Sequence, residues 1–200
     1  MNKSYSKAER TRNFIIESTA EVFNKKGYAG TSLTDLTKAT GLTKGSIYGN
    51  FENKEEVALA VFDYNCSRVA GLTAKKIREA TTCYDKLMCY AGVYRTVTKE
   101  TMSRGGCPIL NTATEADDTN CLLRDKAAGA VRHWEGTLVS IINQGVLNGE
   151  FKKDINSRQV SLSIVALIEG GIMISKVTGD LTSMDSILKT VELFIEQLKS

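Results

Sequence analysis

Residues 31–51 read TSLTDLTKATGLTKGSIYGNF, and the reading of this stretch decides the fold. Leu33, Leu36 and Ala39 fall on one helical face, and Ile47 and Phe51 repeat that spacing after a break. Gly41 suits the break because glycine tolerates positive φ, and Leu42 is the apolar plug that keeps such a turn closed. Thr43 then caps a second helix that opens with Lys44, Gly45 and Ser46. Two short helices joined this way form a helix-turn-helix, whose second helix presents its N-terminal residues to the major groove of DNA.

On the upstream side, a helix is expected over residues 7–26, with Phe14, Ile15, Ser18, Val22 and Phe23 on its buried side. Gly27 ends it, and Lys25 and Lys26 sit favourably against its dipole. Ser32 and Asp35 form a capping box for the helix over 32–39, and the reading helix spans 44–50. Downstream, Asn53 caps a long fourth helix with Glu56 at the capping-box position. Five more helices are expected, over about 84–102, from 107–108 onward, over 120–148, 157–177 and 184–198. With one proline and no regular strand alternation, the chain reads as all-α with about nine helices. An N-terminal three-helix head over 1–54 carries the helix-turn-helix, and a helical body over 55–200 follows it.

Two hundred residues with 42% apolar content are enough for a real core. The net charge of +3 is unevenly placed. Residues 1–54 hold nine Lys/Arg against five Asp/Glu, and the remainder holds seventeen against eighteen. The positive excess therefore lies on the segment where phosphate contacts need it. MNKSYSKAERTR has no apolar core of signal-peptide length. The longest apolar candidate, around Ile164 to Ile174, is interrupted by Glu169, so no membrane partner is expected. Five cysteines without CxxC spacing read as reduced thiols in a cytoplasm.

Catalysis finds little to work with. His133 is the one histidine, so a histidine metal site or triad would have to be built around that residue alone. Glu115, Asp117 and Asp118 cluster on a polar helix end where solvation is the ordinary role. No glycine-rich phosphate loop follows a strand, and no cofactor or metal is implied. A nonspecific DNA-packaging protein would carry basic charge throughout, whereas the body here is slightly acidic.

The head closely resembles the TetR family of bacterial transcriptional regulators. The resemblance rests on Phe23…Gly27-Tyr28, Thr31-Ser32-Leu33, Thr40-Gly41-Leu42-Thr43-Lys44-Gly45-Ser46-Ile47-Tyr48, Phe51 and Lys54-Glu55-Glu56. It covers about a quarter of the chain, while the body agrees with the family only in helix count and length. It implies phosphate contacts from Thr31, Thr43, Tyr48 and Lys54, and places Lys44, Gly45 and Ser46 at the major groove. A hydroxyl and the free N–H groups of a helix start suit a phosphate, and Lys44 can reach a guanine edge. The lesser alternatives are a half-buried packing ring for Tyr48 and a solvated surface lysine for Lys54. Gly49 and Asn50 depart from the family's usual aromatic and histidine; Asn50 can still bond a phosphate, but operator sequence does not transfer.

By the same resemblance, the eighth and ninth helices pair with a second copy, so that a homodimer binds a palindromic double-stranded DNA operator. The eighth helix has apolar residues on several faces, and Ser161, Ser163, Gly170 and Gly171 would permit close approach. A small-molecule inducer is expected among the body helices, lined by Phe62, Cys66, Met88, Tyr94, Cys107, Asn111, Trp134 and Ile168; the same residues would also fill a core. Such a ligand would tilt the fourth helix and lower operator affinity. Cys107 carries a second reading. It stands at a helix start beside Arg104, where a thiolate is favoured, and resembles the family branch that senses electrophiles with help from a lysine such as Lys176. The alternative is that this junction simply needs a small buried residue.

Overall fold

The computed structural model describes residues 6–200; residues 1–5, Lys3 of the basic head among them, lie outside the described residues. Nine helices form among the described residues: α1 Lys7–Gly30, α2 Leu33–Thr40, α3 Lys44–Tyr48, α4 Lys54–Glu79, α5 Cys83–Ser103, α6 Pro108–Ala116, α7 Cys121–Leu147, α8 Ser157–Thr178 and α9 Thr182–Glu196. They gather into two compact units, one of residues up to Ser67 with Pro108–Ala127, the other of Arg68–Cys107 with Ala128–Ser200. Packing thus follows no single cut at residue 54: the first part of α4, α6 and the start of α7 belong with the head.

The head unit is capped as its sequence anticipates. Ser32 accepts from the Asp35 N–H at 3.1 Å while Asp35 accepts from the Ser32 N–H at 2.9 Å, and Asn53 accepts from the Glu56 N–H at 2.9 Å. The Glu56 carboxylate, however, accepts from the Glu52 N–H at 2.7 Å, one residue before the expected box partner. In α1 the buried row is Ile15, Thr19, Ala20 and Phe23, and Phe14 is 47% exposed. Phe14 is about 100° round the helix from Ile15, and only one of the two can face the core. Gly27 breaks α1 where expected, at φ 72°, ψ 178°, and a further helical turn follows to Gly30. Ile15, Phe23, Leu36, Ile47, Phe51, Val57 and Val61 form the core that fixes α2 and α3 on α1 and α4.

In the body unit, Leu87, Ala91, Tyr94 and Thr98 of α5 are buried, as their shared face predicts. α9 runs antiparallel to α5, with Arg95 on α5 meeting Asp185 at 2.8 Å and Glu192 at 2.7 Å. α8 lies against α9 so closely that a Cβ at Gly171 would stand 2.7 Å from Met184 Sδ. Ser161 is likewise fully buried inside the chain. Two of the four small residues expected to admit a second copy therefore serve α8's own neighbours. By length and composition α8 could cross a membrane, contrary to the expectation from Glu169; in the fold one side of it packs on α9 and α5.

Candidate nucleic-acid interface and the helical body

α2 ends on Gly41 at φ 69°, the left-handed turn its sequence requires. Thr40 closes the turn from within: its hydroxyl donates to the Leu36 carbonyl at 2.8 Å and accepts from the Leu42 N–H at 3.1 Å. Thr43 caps α3 by accepting from the Ser46 N–H at 3.2 Å. Ile47 is fully buried on one side, which turns Thr43, Lys44 and Gly45 outward to solvent and leaves Ser46 half-buried. Lys44 makes no ion pair among the described residues. A Cβ at Gly45 would meet nothing closer than Thr43 Oγ1 at 4.0 Å, so the folded chain itself does not require glycine there.

Other residues expected at phosphates have internal roles. Thr31 is 1% exposed, and its hydroxyl donates to the Gly27 carbonyl at 2.6 Å. Lys54 donates to the Tyr28 carbonyl at 2.8 Å and the Thr31 carbonyl at 3.0 Å, with its ammonium 4.3 Å from the Tyr28 ring centre. Both brace the bend between α1 and α2, because buried carbonyls at a broken helix end need donors. Asn50 donates to the Ser46 carbonyl at 2.9 Å and receives Arg12 on its own carbonyl. Arg12 also pairs with Glu56 at 2.6 Å, and the Glu52 N–H together with that guanidinium holds the Glu56 carboxyl below its ordinary pKa. Tyr48 is half-buried against the head core.

The same bend explains Glu115, which was expected to be merely solvated. Its two oxygens accept from the Tyr28 N–H at 2.9 Å and the Ala29 N–H at 2.8 Å, the donors that Gly27 frees by leaving the helix. A Cβ at Gly27 would lie 2.4 Å from that carboxylate, so glycine is needed both for its φ and for this approach. Asn111 on α6, expected at the ligand, donates to the Asn24 carbonyl at 3.1 Å and so ties α6 to α1. The sequence signal missed here is a carboxylate one helix away from a glycine-broken helix end, a pairing visible only once α6 and α1 are side by side.

The geometry of a braced helix-turn-helix on an all-α chain agrees with the comparisons. Residues 15–61 match the model described as bacterial regulatory proteins, tetR family, and residues 83–191 match that of the tetracyclin repressor-like C-terminal domain. The chain belongs to the TetR family. A TetR-family transcriptional regulator from Cytophaga hutchinsonii is 47% identical with a TM-score of 0.92, each chain being covered to 98%. Another from Chloroflexus aurantiacus is 33% identical with a TM-score of 0.90, covering 96% of this chain and 98% of its own. The transcriptional regulator TtgR of Pseudomonas putida is 25% identical over 85% of this chain and 82% of its own. This TetR-family chain is accordingly a helix-turn-helix DNA-binding transcriptional regulator.

The expected ligand residues do not fall in one unit. Phe62, Cys66 and Asn111 belong to the head unit, and Met88, Tyr94, Cys107, Trp134 and Ile168 to the body unit. In the body, Trp134 of α7 stacks on Tyr94 at 5.6 Å and on Tyr90 at 6.3 Å, with interplanar angles of 10° and 16°. Ile168 is fully buried and Met88 half-buried. Cys107 is 6% exposed and its thiol donates to Glu169 Oε1 at 2.9 Å. Arg104, expected to favour a thiolate, pairs with Glu100 at 3.2 Å. The thiol is thus tied to a carboxyl oxygen of α8. Glu169 emerges as the body residue that sequence reasoning passed over: burial pushes its carboxyl up to about 7, an effect that the Cys107 hydrogen bond opposes. The available signal was a lone carboxylate in an otherwise apolar α8.

Proposed function

We propose that this TetR-family regulator is a repressor that holds a palindromic operator as a homodimer and leaves it when a small molecule binds its body. The observation that carries the reading is the outward-facing start of α3, Thr43 to Ser46, on a head whose other polar groups brace the fold. Thr43 and the N–H groups of the helix start serve a phosphate, Lys44 a phosphate or guanine edge, and Gly45 admits the bases closely. Tyr48 can add its hydroxyl at the edge of the same surface, with Asn50 fixing the end of α3 beneath it. Thr31 and Lys54 act behind this surface, by setting the α1–α2 bend.

Pairing through α8 and α9 is supported by apolar side chains on their outer faces, with Met173 49% and Val177 81% exposed on α8 and Leu193 66% exposed on α9. Gly170, unlike Gly171, has nothing within 4 Å of its Cβ position, which leaves that side of α8 open to a second copy. Two-fold pairing sets the reading helices one DNA turn, or a small multiple, apart. Such a regulator works in the cytoplasm, where bacterial DNA lies, and its response to ligand is the difference in operator affinity between two states.

Footprinting after selection of bound DNA tests this directly. One palindromic site should be protected. Lys44→Ala should weaken binding about tenfold and reduce the salt slope by about 1, with folding stability changed by less than about 0.5 kcal/mol. Protection without two-fold symmetry, or unaltered binding by the variant, would refute the reading.

A further inference from the structure

The body buries hydrogen-bonding atoms that its own side chains do not satisfy. Trp134 is 8% exposed and its indole Nε1–H meets no acceptor; Ser175 on α8 is 1% exposed and its hydroxyl has no partner. Glu169 offers a third such atom, since Oε1 takes the Cys107 thiol while the buried Oε2 takes nothing. Most proteins pair nearly all buried polar atoms, so three orphans in one unit ask for a reason.

Helix register brings two of them to one level. Arg95 of α5 meets both Asp185 and Glu192 of α9, and Glu196 at the end of α9 meets Tyr84 at the start of α5, so position 95 of α5 stands opposite the 185–192 stretch of α9. Gly171 of α8 faces Met184 and Ile187 of α9. The turn of α8 holding Glu169 therefore lies level with Tyr94, whose ring stacks on Trp134. The Tyr94–Trp134 ring pair and a buried carboxyl oxygen thus stand at one level of the helical body, with the unpaired indole N–H on the same tryptophan.

We propose that this layer is the specificity-determining part of the inducer site and takes a planar, mostly apolar amine that also carries a hydrogen-bond acceptor. The ammonium group donates to Glu169 Oε2, the ring lies against Tyr94 and Trp134, and the acceptor meets Trp134 Nε1–H. A cation suits this carboxyl better than a neutral donor, for two reasons. Charge-assisted hydrogen bonds are about twice as strong, and a buried carboxyl oxygen with no donor of its own gains the most from one. The aromatic faces add attraction for the same charge. The proposal rests on the reading that a small molecule binds the body.

Quinine and 6-methoxyquinoline-4-carboxylate test it, because they share the ring and the ether oxygen but differ in charge. Calorimetric titration of the full chain at neutral pH should show quinine binding at least tenfold more tightly than the carboxylate. Glu169→Gln should lose at least tenfold for quinine and little for the carboxylate. Trp134 is the one tryptophan, so its emission should change on quinine binding in both proteins. Equal affinity for the two probes in the unaltered chain, or preference for the carboxylate, overturns the amine assignment, and this comparison needs no variant to fold. In that case the small-molecule reading survives if the carboxylate releases the operator. If neither probe binds, the amine assignment fails; the small-molecule reading fails only if no member of a charge-diverse library releases operator.

Discussion

Thr31 in the head and Trp134 in the body are both buried, yet their polar atoms end differently. The Thr31 hydroxyl donates to the Gly27 carbonyl at 2.6 Å, whereas the Trp134 indole N–H meets no acceptor. The contrast extends to carboxylates. Glu115 spends both oxygens on backbone N–H groups, while Glu169 keeps one buried oxygen unpaired. A surface that reads DNA has to hold one shape before its partner arrives, because α3 is only five residues long and has little stability of its own. Cross-links from α1, α4 and α6 supply that shape. The body makes the opposite compromise, tolerating desolvated polar atoms in its interior, and such atoms are a liability for stability and an opportunity for selective binding.

The largest effect expected from breaking this contrast is at Gly27. Gly27→Ala puts a Cβ 2.4 Å from the Glu115 carboxylate on a residue at φ 72°. The loss should be at least about 3 kcal/mol from backbone strain and the displaced clamp, lowering Tm by roughly 6–12 °C; an unchanged melting curve would mean that the bend is not braced.

Glu169→Gln tests the other side. The folded carboxyl sits at about 7 against an ordinary 4.5, so the native state holds the proton more tightly than the unfolded chain. The stability this group contributes is complete below about pH 4.5 and is lost as pH rises to about 7. Across that window the loss amounts to about 3 kcal/mol, so the glutamine variant should gain on the parent chain by about that much in urea unfolding. A pH-independent difference would show a solvated carboxyl and erase the contrast. The smallest effect is at Thr31, where Thr31→Val should cost about 1 kcal/mol for one lost hydrogen bond. Intact stability with lost operator binding would return that hydroxyl to the phosphate.

Much of the head was legible in the sequence because its signals are local. Ser32, Gly41, Thr43 and Asn53 act on backbone two to four residues away, so their roles follow from spacing. Phe14 was misplaced because helical periodicity gives the width of an apolar face better than its centre. Lys54 and Thr31 were read as phosphate donors because a family motif gives residue type and position but not direction, and here their direction is set by carbonyls exposed at the Gly27 bend. The ligand residues were harder still: apolar and aromatic residues suit a core and a binding wall equally well.

The sequence alone determined an all-α chain, the helix-turn-helix, its caps and the outward-facing Lys44, since each depends on residues close together along the chain. Only the tertiary structure decided that α6 belongs with the head, that Glu115 caps the Gly27 bend, that Gly171 serves α9, and that Glu169 keeps a buried carboxyl oxygen beside a thiol. Those facts depend on which helix faces which over separations of tens of residues. Burial and hydrogen bonding at such distances are properties of packed helices, and no local pattern encodes them.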